Sequence, residues 1–202
     1  KIIRGECVID RFLLVASLMV SAQISFAQAP KDSPLISIAV FDAGRMNVVM
    51  PGDLAGANFT RPDGADSPLP SPSFLFATAL RNELLSRHQL VLSEVPNTLL
   101  PHKRGKPIGP SAANSLEVYT DRNFLGYRAF AWNTYQYGFM GHARLIGPDG
   151  SVTWEKKCAI KPGKSDEMLP LNRSEFNNQG GQRLIEVMQL ATERCAKLLV
   201  NS

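Results

Sequence analysis

Long apolar runs are missing from this 202-residue chain. The longest, Phe12-Leu13-Leu14-Val15-Ala16-Ser17-Leu18-Met19-Val20, has nine residues, against the about 20 that cross a bilayer. Histidine and cysteine are scarce, at three each. His88, His102 and His142 have no Cys, Asp or Glu at a recognised metal-ligand or triad spacing. Gly-x-Ser-x-Gly, Ser-x-x-Lys, His-Glu-x-x-His and phosphate-cradling glycine loops are also absent. The sequence therefore names no reaction, no metal and no cofactor. Charge of one sign is in short supply as well, because 22 Lys and Arg against 18 Asp and Glu leave only +4. Nucleic-acid binders concentrate base on one face, since affinity scales with the phosphates neutralised. Here the one tight basic group is His102-Lys103-Arg104-Gly105-Lys106, between Pro101 and Pro107, and it reads as a solvated loop. What remains is 44% hydrophobic and 20% charged, the profile of one globular domain with a single core.

The first residues differ from the rest. Lys1, Arg4 and Arg11 precede the apolar run, small and polar residues follow it, and Ser25-Phe26-Ala27 offers small side chains before a cut. This is the three-part layout of a secretory signal peptide over residues 1–27. Its removal takes away Lys1, Arg4, Arg11, Glu6 and Asp10 and leaves 175 residues at +3. No Cys follows the apolar run near the cut, so the mature chain, 28–202, is expected to be a soluble periplasmic or secreted domain without a stable membrane span.

Cleavage also discards Cys7, leaving Cys158 and Cys195. Val152, Trp154, Cys158 and Ile160 alternate on one face of a strand, with Lys156 the exception, while Thr153, Glu155 and Lys157 take the other. Leu184, Met188, Ala191, Cys195 and Leu198 recur at helical spacing, so both cysteines point inward, one from a strand and one from a helix. In an oxidising compartment the two are expected to pair; in a reducing one they would stay free thiols. Neither has a second Cys or a His at the short spacing of a metal site.

Leu35 to Phe41 is a short, β-branched apolar run that suits a central strand. Asp42 to Ser71 is rich in Gly and Pro and reads as a long irregular loop, apart from Asn47-Val48-Val49-Met50. Ser71 then fits an N-cap and Pro72 the first helical position, opening a helix to about Arg87 with Phe76, Ala77, Leu80 and Leu84 inward. Gln89 to Val95 completes a strand-helix-strand unit, which predicts parallel strands. A second proline-containing loop spans 96–114, and Ser115 to Thr120 is a short strand. Tyr135, Tyr137, Phe139, Ala143 and Leu145 share one strand face opposite Gln136, Met140, His142 and Arg144, and Gly147-Pro148-Asp149-Gly150 turns the chain into the strand of Cys158. A helix over about Asn178 to Val200 closes the domain.

The expected fold is a two-layer α/β sandwich with a mixed sheet. Candidate binding residues are Trp132, Tyr135, His142 and Arg144; Tyr137 and Phe139 read as core. His88 fits a helix C-cap. Asp42, at a strand's carboxyl end, is a catalytic candidate that also suits the turn Asp42-Ala43-Gly44. Asn58-Phe59-Thr60 and Asn172-Arg173-Ser174 match the glycosylation sequon.

Ile36-Ser37-Ile38-Ala39-Val40-Phe41-Asp42, followed by a helix and Leu90-Val91-Leu92-Ser93-Glu94, resembles the opening of bacterial envelope proteins related to the amino-terminal domain of TolB. The run from Tyr135 to Cys158, with Cys195 in a final helix, is similar to uncharacterised exported proteobacterial proteins that carry a Cys in each element. The resemblances imply a periplasmic α/β sandwich and no particular reaction. The insertion from Asp42 to Ser71 departs from the TolB pattern. With loops and an aromatic sheet but no convergent catalytic set, the chain is expected to be a non-catalytic envelope component that binds another protein. The rivals are a small-molecule or glycan binder and a hydrolase pairing Asp42 with His142.

Overall fold

β1 (Ser37–Val40) alternates exposed and buried residues, and its apolar members Ile38 and Val40 reach the core. The computed structural model describes residues 34–41, 46–49, 69–88, 90–101, 113–128, 131–161, 171–172 and 181–202. The later elements are β2 (Asn47–Val49), α1 (Pro72–Arg87), β3 (Ser115–Arg128), β4 (Ala131–Ile146), β5 (Val152–Ile160), β6 (Leu171–Asn172) and α2 (Gln182–Asn201). They build a six-stranded mixed sheet in the order β1-β3-β4-β5. β2 continues β1's place along β3, and β6 continues β5's place along β4. β1 and β2 run parallel to β3, whereas β3, β4 and β5 are antiparallel neighbours. This is the mixed α/β sandwich that the sequence predicts.

α1 begins where its residues allow. Ser71 is extended, its hydroxyl accepts from the Ser73 amide at 3.3 Å, and Pro72 occupies the first turn, where no amide donor is needed. Phe76, Ala77, Leu80 and Leu84 turn into the core, and the His88 amide donates to the Leu84 carbonyl at 2.8 Å to end the helix. The buried Ser73 hydroxyl meets Thr120 Oγ1 at 3.0 Å, fastening the first turn to β3. α2 lies against α1, and both cover the same sheet face. Its inward stripe is Leu184, Met188, Ala191, Cys195 and Leu199; Leu198, predicted inward, is 48% exposed. Four residues from Cys195 bring the helix round to Leu199, whereas three leave Leu198 on the rim.

Two further expectations change. The strand expected over Gln89 to Val95 is not regular over its described residues 90–95: Leu92 makes a single parallel bridge with Ile36, and further on Leu100 makes another with Phe41. The Ser93 carbonyl accepts from Arg81 Nε at 2.8 Å and the Ser93 hydroxyl accepts from the Ile38 amide at 3.0 Å, so the ladder stops at Ser93. β1 is nonetheless central, between this edge segment and β3. The strand predicted for Ser115 to Thr120 runs on to Arg128, pairing with β4 over its whole length. A bulge between Thr120 and Arg122 switches the inward parity, so that Leu116 and Val118 face the helices before it and Asn123 and Leu125 after it. Gly141 is needed under this layer, because a Cβ there would stand 2.7 Å from the Phe76 ring and 2.9 Å from Phe139.

β5 is tied to α2 by the Cys158–Cys195 disulfide, with Cα atoms 5.5 Å apart. Lys156, the odd residue of the inward face, donates from Nζ to the Leu199 carbonyl at 3.2 Å and to the Ser202 carbonyl, closing the last turn of α2. Residues 1–27, the greater part of the 42–71 and 96–114 loops, Asp42, the 102–106 basic group and the first residues foreseen for the last helix lie outside the described residues.

Candidate functional site

Leu92, Ile36, Leu116, Leu145 and Trp154 come from the edge segment, the lead-in to β1, β3, β4 and β5. They form a row across one end of the sheet on its helix-covered face. α1 stops at His88, and its last turn, with Leu84, stands over this row without filling the space above it. The result is an apolar cleft of about 290 Å³ lined by these residues with Leu84, Leu90 and His88. Its floor belongs to the core, since Ile36, Leu92 and Leu116 are buried. Its surroundings are unusually apolar for a surface: Leu35 is 54% exposed, Val152 44% and Leu90 and Val91 37% each. Among the described lining residues only His88 and the Trp154 indole carry a polar side-chain atom. Such a surface binds by excluding water from carbon, at roughly 25 cal/mol per Å² covered.

The opposite sheet face holds a polar and aromatic network. Glu117 on β3 and Arg144 on β4 are cross-strand partners, both buried, and Arg144 Nε donates to Glu117 Oε2. The Tyr119 hydroxyl donates to Glu117 Oε2 at 2.5 Å and accepts from Arg144 Nη2 at 2.5 Å. Phe41 stacks on the Tyr119 ring at 4.3 Å, His142 flanks it at 5.3 Å, and His142 Nε2 meets Glu155 Oε1 at 2.7 Å. Burial, helped by the Glu117 carboxylate, pushes the Tyr119 phenol well above its ordinary pKa. Burial opposes the charge on Arg144, but its bonds to Glu117 and Tyr119 outweigh that and hold it more firmly protonated. These groups are engaged with one another, which makes the network a brace for the β3–β4 pair.

The candidate residues therefore divide. His142 and Arg144 join this network, Tyr135 is packed in the core at 1% exposure, and Trp132 lies in β4 with its side chain outside the described residues. Tyr137 and Phe139 are core, as predicted. The cleft was not among the candidates. Its residues come from six segments, and each alone looks like an ordinary core position. Only the juxtaposition of Leu90, Val91 and Leu92 beside a histidine-ended helix hinted at it. Among the described residues no cluster of three His, Cys, Asp or Glu could hold a metal, and no helix is long and apolar enough to cross a membrane.

Fold and site together define a disulfide-braced, two-layer α/β sandwich with an apolar cleft at one end of its sheet. Neither a protein-family model nor a curated protein matches the chain. It is similar to solved structures. A crystal structure of a Xanthomonas campestris protein of family DUF330 covers 87% of this chain and 90% of its own, at 12% identity and a TM-score of 0.40. That of an uncharacterized protein covers 86% and 94%, at 14% identity and 0.40.

Proposed function

We propose that the chain is an exported, non-catalytic component of the bacterial envelope that binds another protein through the cleft between α1 and the Leu92–Trp154 row. The observation that carries this reading is the cleft itself, which is lined by apolar side chains apart from His88 and lies at the end of the sheet where Leu35, Leu90, Val91 and Val152 are exposed. A glycan would need several hydrogen-bonding groups, and among the described lining residues only His88 and the Trp154 indole offer a polar side-chain atom. The disulfide supports export, because such bonds persist in oxidising compartments, as do the layout of residues 1–27 and the TolB-like opening of the mature chain.

The test is co-purification after export in a proteobacterial host. A discrete protein retained by the wild type should be lost with Leu90→Asp/Val91→Asp, whose side chains are already exposed. Intact mass should show a chain beginning at Gln28 with both thiols protected until reduction. A tightly held small molecule in the native mass spectrum, with no protein lost in the double variant, would replace this reading with ligand binding.

A further inference from the structure

The partner-binding reading leaves open what form the partner takes, and the edge beside the cleft bears on that. At the bridge of Leu92 with Ile36, the Ile36 amide donates to the Val91 carbonyl at 2.8 Å and the Ser93 amide donates to the Ile36 carbonyl at 2.9 Å. In parallel pairing this geometry turns the amide and carbonyl of Leu92 away from β1. Neither takes a hydrogen bond among the described residues. Among the described residues the sheet thus ends in an unpaired donor–acceptor pair on Leu92, a residue 7% exposed, flanked by the more exposed Leu90 and Val91. Directly behind it is the cleft, to which Leu92 and Leu90 contribute side chains.

The edge also carries a carboxylate. Between Leu90 and Pro96 the one charged residue is Glu94. Its side chain is 87% exposed although Oε1 lies 2.6 Å from Arg81 Nη2. Backbone capacity, an adjacent apolar hole and an outlying carboxylate match an extended segment that carries an apolar anchor and a base.

We infer that the partner is captured as an extended segment that pairs with the backbone of Leu92, seats an apolar side chain in the cleft and sets a Lys or Arg against Glu94. This rests on the partner-binding reading, and the experiment separates the two. The probe is a fluorescein-labelled peptide of alternating leucine and serine ending in lysines, titrated against the mature protein by anisotropy. Binding should weaken about tenfold or more on N-methylation of the peptide's paired amides, as loss of one or two backbone hydrogen bonds implies. It should weaken similarly with Leu90→Asp and about threefold with Glu94→Gln, and amide exchange at Leu92 should slow in the complex. No peptide binding, or binding that ignores N-methylation and leaves Leu92 exchange unchanged, overturns the extended mode. A partner still co-purified in that case would leave the cleft reading standing. Concentration-dependent dimers abolished by Leu90→Asp and indifferent to the peptide would equally overturn it, in favour of a second copy.

Discussion

Glu117, Arg144 and Tyr119 illustrate how a buried charge constrains its neighbours. Removing one member strands the other charge away from water, which costs more than the pair itself contributes. Arg144→Met should destabilise by about 3–5 kcal/mol, and Glu117→Met/Arg144→Met by clearly less; chemical denaturation of both variants measures the difference. Tyr137 provides the contrast. Its hydroxyl is buried without a hydrogen-bond partner among the described residues, so Tyr137→Phe should leave stability unchanged or raise it by up to about 1 kcal/mol, whereas Tyr119→Phe, which loses bonds to Glu117 and Arg144, should lower it. The pH dependence follows from the same burial. Both phenols are held above the ordinary value of 10.0, so above pH 10 the unfolded chain releases protons that the fold retains. Their contribution is intact below pH 10 and falls as pH rises. An alkaline denaturation series should show this decline, and Tyr137→Phe should make it shallower.

Among the elements, the β4–β5 hairpin and α2 were the most legible in the sequence, because strict alternation and helical spacing report directly on which side faces a core. Lys156 breaks the alternation of β5, and the structure supplies the reason: its ammonium closes the end of α2. Lys156→Met should cost about 1 kcal/mol and fray the last turn, seen as faster amide exchange from Ala196 onward. The turn has its own signature. Asp149 Oδ1 accepts from the Ser151 hydroxyl at 2.6 Å and the Ser151 amide at 3.0 Å. The Ser151 hydroxyl, and then its amide, hold the carboxyl below its usual range. That support is present above the ordinary Asp value and lost as pH falls through the depressed one, so carboxyl-carbon NMR should show Asp149 titrating below the other aspartates. The full reach of β3 and the failure of residues 90–95 to form a regular strand were not legible. The first depends on a bulge after Thr120 that rephases the inward face. The second depends on Arg81, a helical residue, capturing the Ser93 carbonyl. Local patterning reports neither event. The cleft escaped for the same reason, being made where six segments meet.

At the scale of the whole molecule, the Cys158–Cys195 bond joins the edge strand of the sheet to the helix that covers it, across 37 positions of sequence. Closing a loop of that length stabilises a fold by about 4 kcal/mol on the chain-entropy model. Reduction, or Cys158→Ala/Cys195→Ala, should therefore lower the denaturation midpoint by that equivalent. Both layers are consequently held while one end of the sheet stays apolar, a division between a braced body and an apolar end that agrees with the proposed attachment. The most direct test places a photo-crosslinking amino acid at Leu90, beside the cleft, and in a second strain at Leu190, which is exposed on α2 away from it. Illumination of cells exporting each protein should give one discrete adduct of protein mass from position 90 and none from position 190. Equal labelling from both positions, or none from position 90, would contradict the claim that this end of the sheet is where the protein meets its partner.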